Sequence, residues 1–570
     1  RGGRQESLFD QPQKQESLIP KPEQTTLKSS TNDGWKNRLI WGDNFLAMGS
    51  LLDDFAGKIN LIYIDPPFAT GADFSFKVRV GDQEWTKEPS IIETLAYRDT
   101  WGKGLESYLQ MMYDRLVLMK ELLADDGSIY VHLDWHVGHY VKVVMDEIFG
   151  KDNFLNEIAW TYFAFKRSTA KKFPQKHDVI LSYTKNRENY VCHCLSLASC
   201  KPCLKRWKKN ENGRLYRDDV NPTGGGRRRI YLDETEGDIV DSVWDDIPPV
   251  NPVAKERVDY STQKPKALIE RIVKASSNEG SLIADFFCGS GTTGAVAEKL
   301  GRRWIMCDLG RFVVHTARKR LLDTPNCKPF VIQNLGKYER HRWMKINGGY
   351  KDYLKFILEL YKAGPIEGFE NLHGKKGNSF VHVGAVDAPV TLNEVTRTLD
   401  ECKKNNIKNL DILGWEWEMG LHDMVRDEAE KYGVRLTTLQ IPREVMDINP
   451  KTKEVARFYE LAYLDLDVKV EDQMATVTLK DFILENPELI PQEVRDKIKN
   501  WSDFIDYWSV DWNFDGKSFH NMNQEYRTRK EPKLVKAINH QYQKSGEYKV
   551  LVKVIDIFGN DTTKLIEVKV

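Results

Sequence analysis

Two short segments of the chain combine residue types that could carry out chemistry. In the first, the apolar run 61–64 leads into Asp65, Pro66, Pro67 and Phe68. In the second, residues 283–284 lead into Asp285, two phenylalanines and the turn Cys288-Gly289-Ser290-Gly291-Thr292. Each apolar run has the length of a strand. The residues that follow predict a site at the carboxyl end of a strand in an α/β sheet, where ligands bind in such folds.

The Asp65 segment suits chemistry on an amino group attached to a nucleobase. Such a nitrogen is a poor nucleophile, because its lone pair is delocalised into the ring. The carboxylate of Asp65 and a carbonyl of the rigid Pro66-Pro67 turn could each accept one amino hydrogen and direct the lone pair at an electrophile. The ring of Phe68 could stack on an extruded base. An ordinary proline-capped turn explains these four residues equally well.

The glycine segment indicates a nucleoside cofactor. Gly289 and Gly291 let the backbone approach a ligand, and Thr292 lies near the start of a predicted helix over 294–300. No Lys-Ser/Thr pair follows the glycines, and their spacing differs from the dinucleotide fingerprint. The next predicted strand, 303–307, ends at Asp308, about 20 residues after the first glycine, where a carboxylate could bind a ribose diol. The pattern favours a nucleoside without a pyrophosphate.

With these motifs the chain resembles the amino-group DNA methyltransferases that use S-adenosylmethionine, in the permuted (β-type) order that places the catalytic motif before the cofactor motif. It is similar to the methylation (Mod) subunits of Type III restriction-modification systems. The resemblance covers roughly 35–325 and includes the segments 41–44, 125–132, 244–249 and 260–265. Two positions depart from the family: Phe286, where proline is usual, and Ala69, where asparagine is usual.

The resemblance implies a fold, a reaction and a set of site residues. The fold would be an α/β, Rossmann-like methyltransferase domain with a mostly parallel twisted sheet. Asp65, Pro66, Pro67 and Phe68 would be catalytic. The cofactor would contact Asp43 near its adenine, Asp308 near its ribose, the turn near its methionine part, and Thr262, Gln263 and Lys264 around its carboxylate. In full, the implied cofactor contacts are Asp43, Thr262, Gln263, Lys264, Asp285, Phe287, Cys288, Gly289, Ser290, Gly291, Thr292 and Asp308.

The implied reaction is direct transfer of a methyl group to an amino nitrogen after base flipping. It needs no covalent enzyme intermediate, so Cys288 is expected to be a small buried residue rather than a nucleophile. Because the catalytic segment begins with Asp65 rather than serine, the resemblance favours the N6 atom of adenine. Two alternatives remain at this point, namely a cytosine N4 methyltransferase and a catalytically silent DNA-specificity or scaffold subunit.

A strongly basic segment separates the two halves. Residues 163–232 contain seventeen Lys or Arg against five Asp or Glu, interleaved with aromatic residues. This composition suits a surface that follows DNA phosphates, and this methyltransferase order places its target-recognition insertion here. A solvated basic face is the alternative. The candidate DNA contacts are Lys166, Arg167, Lys171, Lys172, Lys205, Arg206, Lys208, Lys209, Arg227, Arg228 and Arg229.

The same segment holds a group of cysteines. Cys192, Cys194, Cys200 and Cys203 could together close a tetrahedral zinc site. However, the first pair has only one intervening residue, and the related methyltransferases are not generally zinc proteins. No metal is therefore expected, and zinc at these four residues is the alternative.

Composition is typical of a large cytoplasmic protein with several domains. The 570 residues are 41% hydrophobic and include only eight cysteines, which does not suggest a disulfide framework. No apolar run approaches the roughly 20 residues of a membrane span. Lys and Arg balance Asp and Glu, 84 against 84, so net charge does not indicate a partner. The resemblance implies double-stranded DNA as partner, and also a restriction, helicase or nuclease subunit. The C-terminal part is expected to dock partners or a second copy of the chain.

The predicted organisation has eight parts. These are a disordered tail (1–34), the catalytic half (35–162), the target-recognition insertion (163–243), the cofactor half (244–340), a helical linker (341–365), a small α/β domain (366–470), a helical segment (471–510) and a β-sandwich-like domain (511–570). Within the tail, residues 5–9 and, in part, 15–19 resemble the short peptide that binds the bacterial sliding clamp. A plain tail without a partner is the alternative for that segment.

Overall fold

The computed structural model describes most of the chain between residues 35 and 570. The described residues are 35–67, 76–80, 83–87, 104–162, 173, 175–193, 196–197, 208–220, 226–234, 238–251, 254–258, 260, 262–335, 349–386, 388–418, 420–441, 458–460, 462–483, 492–516, 519–527 and 533–570. The predicted disordered tail and the clamp-like peptide lie outside them.

The first part of the chain alternates strands and helices. Its strands are β1 (Asn37–Trp41), β2 (Ile59–Ile64), β3 (Phe76–Val80), β4 (Gln83–Lys87), β5 (Leu123–Leu133), β6 (Phe154–Thr161), β7 (His177–Thr184), β8 (Ser196–Leu197), β9 (Lys208–Lys209), β10 (Leu215–Val220), β11 (Arg227–Tyr231), β12 (Asp238–Ile239), β13 (Val243–Trp244), β14 (Leu282–Asp285), β15 (Arg303–Asp308) and β16 (Phe330–Asn334). Its helices are α1 (Asn44–Phe55), α2 (Leu105–Leu122), α3 (Gly138–Phe149), α4 (Lys266–Ser276), α5 (Thr292–Lys299) and α6 (Arg311–Leu322).

Nine of these strands form one sheet in the order β13-β6-β7-β5-β2-β14-β15-β1-β16. Every neighbouring pair is parallel except those that involve β7, which runs antiparallel to β5 and β6. The predicted mostly parallel α/β sheet is thereby confirmed. The nine-stranded sheet contains strands from before and from after the basic segment, and β2 pairs directly with β14.

Helices cover both faces of this sheet. On one face α1, α2 and α3 contribute Met48, Leu116 and Met145 to a buried cluster; on the other, α4, α5 and α6 contribute Ile269, Val296 and Leu321. A strand covered on both faces needs apolar residues in succession. This explains why β2 and β14 are continuous apolar runs that end abruptly at polar residues.

The remaining elements build two further bodies. Their strands are β17 (Gly364–Pro365), β18 (Gly374–Lys376), β19 (Ser379–Val383), β20 (Asn409–Gly414), β21 (Arg435–Gln440), β22 (Tyr459–Glu460), β23 (Tyr463–Glu471), β24 (Met474–Ile483), β25 (Ile505–Asp511), β26 (Asn523–Tyr526), β27 (Ala537–Gln541), β28 (Glu547–Asp556) and β29 (Asp561–Lys569). Their helices are α7 (Tyr350–Tyr361), α8 (Leu392–Lys404), α9 (Leu421–Tyr432) and α10 (Gln492–Arg495).

The first body is a small α/β domain around β17–β22, in which β19, β20 and β21 are parallel. The second packs a three-stranded sheet (β23, β24, β27) against a four-stranded sheet (β25, β26, β28, β29) around one apolar core. The predicted helical segment 471–510 is wrong. Residues 474–483 form β24, whose side chains alternate between the core and solvent, and the described part of that segment contains one four-residue α-helix and one four-residue 3-10 helix. The sandwich thus begins at β23 rather than at residue 511.

The sandwich docks on the methyltransferase sheet through α6. His315 Nε2 lies 2.6 Å from Asp506 Oδ2 of β25, and Lys319 Nζ lies 3.2 Å from both oxygens of that carboxylate. The ring of Tyr507 lies under the Arg318 guanidinium at 4.2 Å. A histidine and a lysine of one helix therefore meet a buried carboxylate of the sandwich.

Among the described residues, none of the helices has both the length and the apolar character that crossing a membrane requires.

Candidate active site

The predicted chemical residues lie along one edge of the nine-stranded sheet. Asp65 follows β2, the glycine turn follows β14, Asp308 ends β15, and Asp43 follows β1. These strands are consecutive neighbours in the order β2-β14-β15-β1 and all run parallel. Parallel neighbours are about 4.8 Å apart, so the row spans about 14 Å from the strand of Asp65 to that of Asp43.

The catalytic candidate Asp65 is held by a lysine that is 199 residues away in sequence. Lys264 Nζ donates to Asp65 Oδ2 at 2.5 Å, and both side chains are mostly buried. Pro66 is buried and Pro67 is half-buried beside it. Phe68 lies outside the described residues. The sequence placed Lys264 near the cofactor's carboxylate, but its ion pair with Asp65 was not predicted.

The buried carboxylate of Asp285 forms hydrogen bonds to residues on both sides of the glycine turn. This carboxylate accepts the Phe287 backbone N–H at 3.0 Å and the Thr293 hydroxyl at 2.5 Å, and it is 2% exposed. Burial raises the pKa of Asp285 to about 7, against the effect of both hydrogen bonds. Asp285 therefore supports the turn from within the protein.

Both turn glycines have a steric reason to be glycine. Gly291 has φ +73°, and a Cβ there would lie 2.8 Å from the Cβ of Ala317 in α6. Gly289 has φ +49°, and its Cβ would lie 3.2 Å from the Tyr260 ring. Left-handed backbone and close neighbours together exclude larger residues without strain. The turn can thus expose its backbone to a ligand.

Asp308 closes the other side of the turn. Its two carboxylate oxygens accept the backbone N–H groups of Gly289 at 2.8 Å and Gly310 at 3.1 Å. Burial raises the pKa of Asp308, although these bonds oppose the shift. Cys288 is 5% exposed, and burial followed by the charges of Asp308 and Asp285 raises the pKa of its thiol. A buried, protonated thiol is not a nucleophile, as the sequence predicted.

At the end of the row, Asp43 caps helix α1. Its Oδ1 accepts the Phe45 N–H at 2.7 Å, and Arg115 of α2 reaches both its oxygens at 3.3 and 3.4 Å. Arg115 also donates to Asn44 Oδ1 at 2.5 Å, while Asn44 Nδ2 donates to the Phe286 carbonyl at 2.8 Å. The Asp43 side chain remains 36% exposed. These contacts tie the strand of Asp43 to the segment before the glycine turn.

The residues next to Lys264 differ in what they contact. Gln263 accepts the Val258 N–H at 2.8 Å and donates to the Glu256 carbonyl at 2.7 Å, so its amide shapes the preceding loop. Thr262 is exposed. Three residues were expected around the carboxylate of the cofactor. In the structure, Lys264 forms an ion pair with Asp65, and the Gln263 amide forms hydrogen bonds within its own loop.

Arg320 of α6 is a site residue that the sequence analysis missed. Its guanidinium donates to Ser290 Oγ at 3.0 Å, to the Ser290 carbonyl at 3.1 Å, to Thr292 Oγ1 at 2.5 Å and to the Glu256 carbonyl at 3.0 Å. Burial lowers the pKa of Arg320 to about 10. The guanidinium thus holds the glycine turn through hydrogen bonds. In the sequence, a single arginine in a basic helix does not indicate such a role.

A second missed group lies beneath Asp65. Tyr63 OH lies 3.0 Å from His132 Nδ1, His132 Nε2 lies 3.1 Å from Asp178 Oδ2, and Tyr162 donates to Asp178 Oδ1 at 3.0 Å. Burial alone would raise the pKa of Asp178, but its hydrogen bond and ionic contact with His132 lower it. This buried chain joins β2 to β5 and β7.

The candidate DNA contacts are only partly described. Lys166, Arg167, Lys171, Lys172, Lys205 and Arg206 lie outside the described residues. Lys208 and Lys209 of β9 and Arg227, Arg228 and Arg229 of β11 are exposed on one three-stranded sheet. Arg229 also pairs with Asp218 at 3.0 Å and covers the Tyr216 ring at 4.1 Å.

The cysteine group is likewise partial. Cys192 is exposed, whereas Cys194, Cys200 and Cys203 lie outside the described residues. Within the part of the chain that the structure describes, no group of three or more His, Cys, Asp or Glu could hold a metal ion. The zinc alternative stays a sequence-based prediction.

Comparison with known proteins identifies relatives of this region. A family model described as DNA methylase matches residues 59–319. The chain is 30% identical over 328 residues to the Type II methyltransferase M.EcaI of Enterobacter cloacae, covering 50% of this chain and 69% of that protein. It is 25% identical over 361 residues to the Type III restriction-modification enzyme StyLTI Mod subunit of Salmonella typhimurium, covering 51% of this chain and 55% of that subunit. It is also 25% identical over 283 residues to the DNA adenine methyltransferase YhdJ of Escherichia coli, covering 50% of this chain and 82% of that protein.

Proposed function

Because this chain belongs to the DNA methylase family, we propose that it transfers a methyl group from S-adenosylmethionine to the N6 amino group of adenine in double-stranded DNA. The observation that carries the proposal is the row of functional groups along one sheet edge: Asp65, the glycine turn, Asp308 and Asp43, in that spatial order. Its length of about 14 Å suits an extended nucleoside with an amino-acid arm.

The groups along this edge fit the cofactor. The glycine turn offers backbone that a Cβ would obstruct, and the partly exposed Asp43 carboxylate can accept hydrogen bonds from an adenine or ribose. Asp308 orders the turn through Gly289 and Gly310, and we assign it to the cofactor's ribose. When bound, S-adenosylmethionine supplies an electrophilic sulfonium methyl group.

Asp65 prepares the nucleophile in the proposed reaction. Lys264 holds Oδ2 of this carboxylate, and we assign Oδ1 to an amino hydrogen of the extruded adenine. A second amino hydrogen goes to a carbonyl of the Pro66-Pro67 turn. As the bond from nitrogen to the methyl carbon forms, the carbon–sulfur bond breaks, and the nitrogen releases one proton toward Asp65. The buried, protonated Cys288 thiol is consistent with direct transfer.

Adenine is preferred over cytosine on two grounds. The catalytic segment begins with an aspartate, and one relative is named a DNA adenine methyltransferase. A cytosine N4 activity is the alternative, and the methylated base itself distinguishes the two.

The biological setting follows from the Mod relatives. The chain spans about half the length of the StyLTI Mod subunit. We propose that it acts as the modification component of a restriction-modification or phage-defence system, located with DNA in the cytoplasm. A restriction or helicase subunit, a second copy of the chain, and a sliding clamp that binds the tail are partners within this proposal. The exposed cations of β9 and β11 support contact with DNA phosphates.

The test is to measure tritium transfer from labelled S-adenosylmethionine into DNA and to map the modified base by sequencing. Asp65→Ala should lower transfer by at least about 100-fold, because it removes an acceptor of the developing charge. Cofactor affinity, measured by calorimetry, should change little. The control is Glu547→Gln, at an exposed ion pair of the sandwich, which should retain full activity. Transfer by Asp65→Ala at the wild-type rate would refute the mechanism, and N4-methylcytosine as product would refute the assignment to adenine.

A further inference from the structure

An exposed pair of aromatic rings lies at the carboxyl end of β5. Trp135 is 42% exposed, and its indole is stacked on the imidazole of His136 with ring centroids 3.7 Å apart and planes 30° apart. Single exposed apolar side chains are ordinary on a protein surface, so what distinguishes Trp135 is its ordered contact with His136. Neither ring belongs to the catalytic and cofactor groups described above.

A buried carboxylate fixes the orientation of this pair. Asp134 is 8% exposed and accepts the His136 backbone N–H at 2.9 Å through Oδ1. Its Oδ2 lies 2.5 Å from His136 Nδ1. Because an ionised carboxylate can only accept, Nδ1 carries the proton. The imidazole is thus held in place, and its stack with the indole is ordered before any ligand arrives, which lowers the entropic cost of binding.

The pair lies between the catalytic residue and the root of the basic insertion. In the sheet, β5 is flanked by β2, which ends at Ile64 before Asp65, and by β7. Ile64 pairs with Val131, and Leu133 pairs with Val179, two residues after β7 begins. Strand β6 ends at this same edge, because it runs antiparallel to β7. The part of the insertion between the end of β6 and the start of β7 is therefore connected to the sheet beside Trp135.

Asp134 and Asp65 also influence a common neighbour in the fold. Burial raises the pKa of the Tyr108 phenol, and the next two contributions come from Asp134 and Asp65. Both carboxylates therefore act on one phenol in helix α2.

We propose that Trp135, supported by His136, is a stacking site for a nucleobase that loses its neighbour when the target adenine is extruded. This inference rests on the proposed function and adds to it a DNA contact outside the basic insertion. A stacked, pre-ordered indole suits a nucleobase, since every base has a π face and such stacking needs no hydrogen-bond code. The position between Asp65 and the insertion root is where a distorted duplex would lie during base flipping.

The first experiment compares affinities for a duplex that contains the mapped methylation site, with the target adenine either paired or opposite a mismatched base. Trp135→Ala should weaken binding of the mismatched duplex by about 5- to 100-fold, the usual range for loss of one stacked base. Trp135→Phe should retain most of the affinity. The matched control is Tyr350→Ala, which removes an exposed aromatic ring at the start of α7 and should not change DNA affinity.

The second experiment locates the stacked base with 2-aminopurine, whose fluorescence is quenched by stacking on an indole. One probe carries it at the target position and another at the adjacent position. With the probe at the adjacent position, the Trp135→Ala complex should be brighter than the wild-type complex. With the probe at the target position, the two proteins should show no difference, and a difference confined to that position would overturn the inference.

Two further outcomes would overturn the inference. One is unchanged affinity and unchanged fluorescence of both probes in Trp135→Ala. The other is a change in molar mass by light scattering with unchanged DNA affinity, which would make the pair a protein interface. These measurements report DNA binding rather than the rate of methyl transfer, which serves only to locate the site. A wild-type protein that transfers no methyl group would refute the proposed function instead.

Discussion

The junction between α6 and the C-terminal sandwich contains a histidine that should make the protein sensitive to acid. His315 is 6% exposed; its Nε2 lies 2.6 Å from Asp506 Oδ2, and its Nδ1 lies 2.7 Å from a guanidinium nitrogen of Arg318. Because a guanidinium can only donate, Nδ1 must accept and therefore carries no proton. The imidazole is neutral and donates through Nε2 to Asp506. Protonation of Nδ1 would break the contact with Arg318.

The size of the effect follows from the pKa of His315. Burial lowers that pKa to about 4, and Arg318 adds to the shift, against the opposing influence of Asp506. An unfolded histidine titrates near 6.5. Between these two values the unfolded chain binds more protons than the folded one, so the free energy of unfolding falls as pH falls. From about pH 7 to about pH 5, this linkage removes about 2 kcal/mol.

The carboxylate that faces His315 does not titrate in this interval. Burial alone would raise the pKa of Asp506, but Lys319 and His315 hold it well below its usual range. Asp506 thus stays ionised from pH 7 to pH 5. The pH dependence assigned to this junction therefore belongs to the imidazole.

The assay is urea unfolding of the wild type and of His315→Gln at pH 7 and pH 5, followed by tryptophan fluorescence from the sandwich core, which includes Trp508 and Trp512. Glutamine keeps a donor for Asp506 but does not titrate. The wild type should be the more stable at pH 7, and its advantage should shrink by about 2 kcal/mol at pH 5. All groups common to both proteins cancel in this difference.

A second variant at the same junction serves as the control. Tyr526 of β26 donates to Asp323, and Tyr526→Phe removes this bond without removing a group that titrates between pH 5 and 7. Its loss of stability should be the same at both pH values. If the difference between the wild type and His315→Gln were also independent of pH, the neutral buried imidazole would be refuted.

Three further predictions concern the active site. Gly291→Ala should lower the free energy of unfolding by about 2–4 kcal/mol, through left-handed strain and overlap with α6, whereas Gly280→Ala, with a similar φ and open space, should lower it by about 1 kcal/mol; denaturant unfolding compares them. Arg320→Met should weaken cofactor binding about tenfold in calorimetry, because the turn loses its clasp; unchanged affinity would contradict that role. Lys264→Met should lower kcat about 10- to 100-fold, and Lys264→Arg should restore part of it, because a cation orients Asp65; equal rates in both variants would argue against the ion pair.

Much of the fold could be predicted because its signals are local. Helices α8 and α9 and the hairpin β28–β29 follow from hydrophobic periodicity within ten to fifteen residues. The same holds for β2 and β14, whose apolar runs end at polar residues. The prediction of a helical segment over 471–510 was wrong. An amphipathic strand such as β24 acquires its partners, β23 and β27, only in the folded sandwich.

The sequence alone determined which residues are candidates for the chemistry and in which order they occur, because an aspartate before two prolines and a glycine turn after a strand are defined by immediate neighbours. Only the tertiary structure decided which groups support them. Lys264 meets Asp65 across 199 residues, and Asp506 reaches His315 across 191. Such contacts depend on how strands and domains pack, and a single lysine, arginine or histidine in a polar segment gives no local sign of the partner that packing will bring to it.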